Sequence, residues 1–326
     1  MNNPSLTVAS LVVGYPAGGL PGLLGRGGRR VDVIAGVDLE VHSGETVALV
    51  GESGCGKTTL ARAILGLTPI TSGQVRVNGV VASGPGDLSW RPIRRQVGLL
   101  VQDPVASLNP RMTVATLVTE AFRIHRVGGV DLREEARRLL HQVGLPARFL
   151  DRYPHQLSGG QARRVSMARA MALKPKLVIA DEPTAGLDLS VQGEVLNLLV
   201  ELRETQSVSF LLITHNLAIA RHVADRICVM YLGRVVESGP TAAVYAQPAH
   251  PYTRALMSTR GGIETAVRTV LRGEAPNPRK RPPGCVFSAR CDFARAQCTQ
   301  ETPAARTLTD GRTVSCHFPL TSGVTS

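Results

Sequence analysis

The segment GESGCGKTT (51–59) follows the apolar run VALV (47–50) and precedes a helical pattern, so it satisfies G-x-x-x-x-G-K-[ST] in the setting that gives the pattern meaning. Gly51, Gly54 and Gly56 let the backbone curl until successive N–H groups and a helix N-terminus converge on phosphate oxygens. Lys57 supplies a cation for the outer phosphates and Thr58 a hydroxyl for Mg²⁺, with Ser53 and Thr59 completing the loop. A second pair stands at the end of the apolar strand LVIA (177–180): Asp181 suits Mg²⁺ held through water, and Glu182 suits polarising an attacking water. An acidic pair after a strand ordinarily opens a solvated loop, and the company of residues 51–59 is what gives this one a chemical reading.

LSGGQ (157–161) places Ser158 and Gln161 at capping-box spacing, directly before the helical run QARRVSMARAMAL. A capped helix start bearing Gly159 and Gly160 is a second place where backbone N–H groups can meet an anion. An ordinary cap with no ligand is the competing, lesser reading of the pentapeptide alone.

Taken in order, Gln102, LSGGQ, the strand ending in Asp181-Glu182, the loop AGLD (185–188) and His215 resemble an ABC-type nucleotide-binding domain, over residues 5 to 240. The resemblance implies an α/β fold: a P-loop domain with a RecA-like core, an antiparallel β subdomain and an inserted helical subdomain. It implies that the phosphate loop of one protomer faces the LSGGQ helix of another, so that two ATP molecules are enclosed and neither protomer completes a site alone. Tyr15 would then stack on adenine, Gln102 would contact Mg²⁺ beside Thr58 and Asp181 and report to membrane subunits, and His215 would touch the γ-phosphate beside the base Glu182. Ser158, Gly159, Gly160, Gln161 and Asp188 would act across the interface. One departure stands out: Ala185-Gly186 replaces the Ser-Ala frequent in the family, which removes a hydroxyl from the interface and leaves the chemical groups in place.

QDPVASLNPRMTV (102–114), YPHQLSGGQ (153–161), VMYLGRVVESG (229–239) and HPYTRAL (250–256) are similar to segments of bacterial peptide-importer ATPases, a group that includes nickel and opine uptake systems. That resemblance implies a second ATPase subunit in a heterodimer, a homodimer being the alternative, together with two permeases and an extracytoplasmic binding protein. It places the chain at the cytoplasmic face of the inner membrane, attached through the permeases.

Cys285, Cys291, Cys298 and Cys316 are four of six cysteines and fall in a basic tail among Pro, Gly and Arg rather than apolar neighbours. In a reducing compartment this clustering leaves Zn²⁺ or an iron–sulfur cluster, and the spacing lacks the C-x-x-C knuckle of zinc ribbons. Similar cysteine tails in some peptide-importer ATPases hold a [4Fe–4S] cluster, so the resemblance favours iron. Cys55 and Cys228, in the phosphate loop and an apolar strand, receive no ligand role.

The elements that must position these groups are legible as short β-branched runs, VALV, VGLLV (97–101), LVIAD (177–181), FLLIT (210–214) and ICVMYL (227–232), buried on both faces and alternating with helices. Helices are expected over 58–67 and 190–206, the second with Val191, Val195, Leu198 and Leu202 on one face, and over LREEARRLLHQVG (132–144). Residues 1–240 read as the nucleotide-binding domain, with a helical subdomain at about 103–172, and 241–326 as a cysteine-containing extension that begins where Pro240, Pro248 and Pro251 end the regular pattern. The Gly/Pro/Arg-rich stretch 16–30 reads as a long mobile loop.

No run approaches the ~18 apolar residues needed to cross a bilayer, and the first ten residues lack a signal pattern, so a cytoplasmic chain reaching the membrane through partners is expected. Net charge is +12, half of it from residue 254 onward, where 11 Lys and Arg face 5 Asp and Glu. Basic and aromatic residues do not interleave as a nucleic-acid stacking platform requires, so no nucleic-acid partner is expected. The rival from another class, an ABC ATPase of DNA repair or chromosome organisation, calls for long heptad repeats, which are absent from this sequence.

Overall fold

The computed structural model describes residues 4–16, 30–84, 86–259, 271, 273 and 277–320. Most of the stretch expected to form a mobile loop, 17–29, lies outside them.

Strands β1 (Pro4–Pro16), β2 (Arg30–His42), β4 (Ser72–Val77) and β5 (Val80–Ala82) form an antiparallel sheet in the order β2-β1-β4-β5. The second sheet has eight strands. Its parallel centre comprises β3 (Thr46–Val50), β6 (Val97–Leu100), β7 (Leu177–Asp181), β8 (Ser209–Thr214) and β9 (Arg226–Tyr231), ordered β9-β3-β8-β7-β6. Beyond β9, the antiparallel strands β10 (Arg234–Pro240), β12 (Thr313–Val314) and β11 (Arg306–Thr307) extend it in that order.

The continuous apolar runs have the cause anticipated from sequence: all five residues of β3 are buried, because both faces are covered. Val47 and Leu49 pack toward the antiparallel sheet with Leu6, Leu11, Val37 and Leu60. Ala48 and Val50 pack on the opposite side with Leu217, Tyr231 and Tyr252. A strand's alternation thus binds the two layers through one element.

The helices are α1 (Lys57–Ile64), α2 (Trp90–Gln96), α3 (Pro104–Ser107), α4 (Val114–Ile124), α5 (Leu132–Gln142), α6 (Gly159–Met171), α7 (Leu189–Gln206), α8 (Leu217–Val223), α9 (Thr241–Ala246), α10 (Pro251–Thr259) and α11 (Ala296–Gln300). α4, α5 and α6 share an apolar core of Val114, Leu117, Leu139, Leu140, Val165 and Ala168. α5 starts where Asp131 accepts N–H bonds from Arg133 and Glu134, and its first turn carries Glu134 and Glu135 against the helix dipole.

Three expectations need adjustment. α1 stops at Ile64 because Gly66, at φ +63°, turns the chain beneath the Trp90 ring. On α7 the expected stripe buries Val195, Leu198 and Leu202 while Val191 is only half-buried, since it lies in the first turn beside Gly160. Regular structure also does not end at 240: Pro240 immediately precedes α9 and Pro251 opens α10, because proline's fixed φ suits a helix start. The segment beyond is fastened to the same sheet through β12, and the fully buried Glu237 accepts backbone N–H bonds from Ala249 and His250 while Arg312 lies 3.4 Å away.

Candidate functional site

The phosphate loop leaves β3 at Gly51, where an added Cβ would stand 2.2 Å from the Met230 carbonyl of the adjacent strand, so only glycine fits. Gly54 and Gly56 take φ of +78° and +113°, and Gly56 caps α1 in the left-handed region beneath Ile34 and Val33 of β2. The buried Lys57 donates from Nζ to the carbonyls of Gly51 (2.9 Å) and Glu52 (3.0 Å), which closes the loop upon itself. Ser53, Gly54 and Thr58 are exposed, and Thr59 is half-buried. Tyr15 is 43% exposed on β1, paired with Val31 of the same β2 whose Val33 and Ile34 cover Gly56.

Asp181 ends β7 and is buried, which pushes its carboxyl above the usual range while a hydrogen bond from Thr58 pulls the other way. Structure therefore joins the two residues expected at Mg²⁺, a donor set suited to an ion that keeps several waters and leans on substrate phosphates. Glu182 follows with φ of +49°, a left-handed conformation costly for a residue with a side chain, and its N–H is held by the Ile213 carbonyl at 2.8 Å. Its Oε1 lies 2.8 Å from His215 Nδ1, so the expected base and the expected γ-phosphate contact touch directly. Gln102 is exposed just after β6.

The LSGGQ turn realises the capping box: Ser158 Oγ accepts from Gln161 N–H at 3.3 Å and Gln161 Oε1 from Ser158 N–H at 3.0 Å. An added Cβ at Gly159 would meet nothing within 4 Å, and at Gly160 only Val191 Cγ1 at 3.7 Å. Packing among the described residues therefore does not explain these two glycines. α6 packs against α3, α4, α5 and β6, whereas α1 packs against β1, β2 and β7. Asp188 caps α7, accepting from Val191 N–H (2.9 Å) and Ser190 Oγ (2.7 Å), and these bonds hold its carboxyl below the usual range.

Several residues of the site escaped sequence reading. Arg163 of α6 is buried and donates to the carbonyls of Pro183 and Ala185, tying the LSGGQ helix to the loop that follows Glu182. Glu52, at a variable position of the loop motif, is paired by Arg290 of the extension at 2.7 and 3.1 Å, and its N–H donates to Tyr252 Oη at 2.9 Å. Donating to the Glu52 carboxylate raises the already high pKa of Arg290, keeping its charge secure. Nothing in the motif's spacing announces a partner 238 positions away.

Cys285, Cys291, Cys298 and Cys316 line one small cavity with Phe287, Phe293 and Phe318. None is in a disulfide. Burial pushes the thiols of Cys291 and Cys316 up to about 11 and that of Cys285 upward too. Among the described residues no three His, Cys, Asp or Glu side chains are placed to hold a metal ion.

A phosphate loop between a buried strand and a helix, a buried aspartate hydrogen-bonded to the loop threonine, and a strained glutamate against a histidine define a P-loop nucleotide hydrolase. The family model described as "ABC transporter" matches residues 34–185, and that described as "Oligopeptide/dipeptide transporter, C-terminal region" matches 236–298. A di/tripeptide transport ATP-binding protein, DppF, of Pseudomonas aeruginosa is 44% identical over 90% of this chain and 91% of its own. An oligopeptide transport ATP-binding protein, OppF, of Salmonella typhimurium is 43% identical over 84% of each. Among solved structures, the ATP-binding cassette MJ0796, a dimer in a post-hydrolysis state with ADP and Pi, superposes with a TM-score of 0.61 at 28% identity, covering 72% of this chain and 98% of that one. The chain belongs to the ABC transporter ATP-binding subunits of the oligopeptide/dipeptide importer family. Its fold is the ABC ATPase fold expected from the sequence, and no helix among the described residues is long and apolar enough to cross a membrane.

Proposed function

We propose that this ABC ATPase drives uptake of short peptides by cleaving ATP between two facing cassettes, with residues 1–240 as the motor and 241–326 as an extension that steadies it. The glycines of LSGGQ carry this reading, because they leave a helix N-terminus open to an anion that its own phosphate loop does not bring to it. In the closed pair, Gly51, Ser53, Gly54, Gly56, Lys57, Thr58 and Thr59 bind the triphosphate, and Tyr15 meets the adenine. Ser158, Gly159, Gly160, Gln161 and Asp188 approach from the other cassette. Thr58 and Asp181, together with Gln102, would hold Mg²⁺, which neutralises phosphate charge. Glu182 polarises the attacking water and His215 touches the γ-phosphate. The 2.8 Å contact between these two supports their joint role. The Ala185-Gly186 loop removes a hydroxyl from the interface but none of these groups.

The partners are a second, non-identical ATPase subunit, two permeases and an extracytoplasmic binding protein, which places the chain peripherally at the cytoplasmic face of the inner membrane. A cavity of about 230 Å³ lined by Leu99, Val101, Ile124, Leu173 and Arg169, between β6 and α4, lies directly before Gln102 and suits a permease helix end. Uptake of nickel chelates or opines remains the alternative cargo, since solute contacts belong to the permeases and binding protein.

Cys285, Cys291, Cys298 and Cys316 fit a [4Fe–4S] cluster: four free thiols share one cavity walled by aromatic rings. Four cysteines can also hold Zn²⁺, which is the alternative occupant. A cluster bound there would supply a covalent staple for the extension and one-electron chemistry.

The test of the whole reading is ATPase activity of the purified subunit with its companion ATPase and permeases in proteoliposomes. Stimulation by peptide-loaded binding protein is expected, and stimulation by nucleic acid instead would overturn it. Iron and acid-labile sulfide in anaerobically purified protein are expected for the extension, whereas colourless protein with stoichiometric zinc would refute the cluster.

A further inference from the structure

His250 lines the same cavity as the four cysteines and is 1% exposed. Its backbone N–H is held by Glu237 at 2.9 Å, and its ring Nδ1 accepts a hydrogen bond from the N–H of Tyr252 at 3.0 Å. An acceptor at Nδ1 puts the ring proton on Nε2. Nε2 is buried and has no hydrogen-bond partner among the described residues. Unpaired buried donors are rare because leaving one unmatched is costly, so the cavity calls for an acceptor. The second histidine there, His317, is already committed, its Nε2 lying 2.9 Å from the Glu301 carbonyl.

We propose that His250 Nε2–H donates a hydrogen bond to a sulfur of the metal–thiolate cluster held by Cys285, Cys291, Cys298 and Cys316, and that this bond raises the cluster's reduction potential. The proposal rests on the cluster reading above and adds to it a positioning residue that is not a ligand. A donor to sulfur stabilises the more negative, reduced state over the oxidised one. The ring cannot turn away to find water, because Nδ1 and the backbone N–H are both fastened and Phe287 packs at 5.9 Å between ring centroids.

The test uses full-length protein purified anaerobically and titrated with dithionite. His250→Phe keeps an aromatic ring and deletes the donor. It is expected to retain iron while the reduced-to-oxidised ratio at a fixed potential falls about tenfold, a shift of about 59 mV for one electron. His250→Gln, which restores an N–H, is expected to recover part of that shift. An unchanged potential in His250→Phe with full iron content would overturn the proposal while sparing the cluster. Should the variant lose its fold, pulsed EPR of the reduced wild-type protein labelled with ¹⁵N-histidine decides instead. A weak ¹⁵N coupling is expected, and either no coupling or the strong coupling of a direct ligand would reject the bond. Wild-type protein that holds only zinc or no metal overturns this proposal and the cluster together.

Discussion

Glu182 combines three features seldom found on one carboxylate: a left-handed backbone, a hydrogen-bonded N–H and a side chain against His215. The strain is tolerated because Glu182 directly follows β7 and its N–H is held by Ile213 of the neighbouring β8, which anchors the start of the turn. Glu182→Gln is expected to preserve ATP capture and lower turnover by ~10²- to 10⁴-fold, the range of a lost general base. Phosphate release beside nucleotide trapping in the dimer measures both, and undiminished steady-state hydrolysis would remove the assignment. Sequence spacing was enough to nominate Glu182, Asp181, Lys57 and Thr58, because phosphate chemistry demands those types beside a glycine-rich turn. It could not reveal Arg163 or Arg290, whose value comes from partners brought close only by folding.

At the scale of elements, Ser158 caps α6, and in the proposed closed pair it also meets the incoming anion. Ser158→Ala is expected to cost about 1 kcal/mol of stability through the lost cap. Ser158→Asp keeps a capping acceptor and is expected to leave unfolding temperature near wild type while abolishing ATP-driven dimerisation, since a carboxylate would repel phosphate. Thermal unfolding and size-exclusion chromatography with ATP separate the two, and equal dimerisation by wild type and Ser158→Asp would sink the anion role. A different element contact fastens the extension: Glu237, Arg312 and the N–H groups before α10. Arg312→Met leaves Glu237 buried without its cation and is expected to destabilise the protein by about 3 kcal/mol, read in denaturant midpoints, whereas the added change Glu237→Gln should return part of the loss. The parallel strands were readable because burial on both faces writes itself as unbroken apolar runs. β11 and β12, at two residues each, carry no such signature, so the extension's attachment to the sheet was not.

At the scale of the molecule, the last quarter of the chain reaches the phosphate loop itself, where Arg290 pairs Glu52 and also lies 3.2 Å from Tyr231 Oη. Arg290→Met is expected to raise the KM for ATP about tenfold, roughly 1.4 kcal/mol, by leaving an unpaired carboxylate beside the triphosphate. The double change Glu52→Gln with Arg290→Met should restore most of it, and failure of that rescue would show that the pair does not act through charge. The MJ0796 cassette covers only 72% of this chain, so cutting this protein down to a minimal cassette is a natural temptation. Such a fragment would keep every motif named for nucleotide and still greet a polyanion with an orphaned negative charge. If that prediction holds, the last quarter of the chain is part of the engine's ignition rather than its casing.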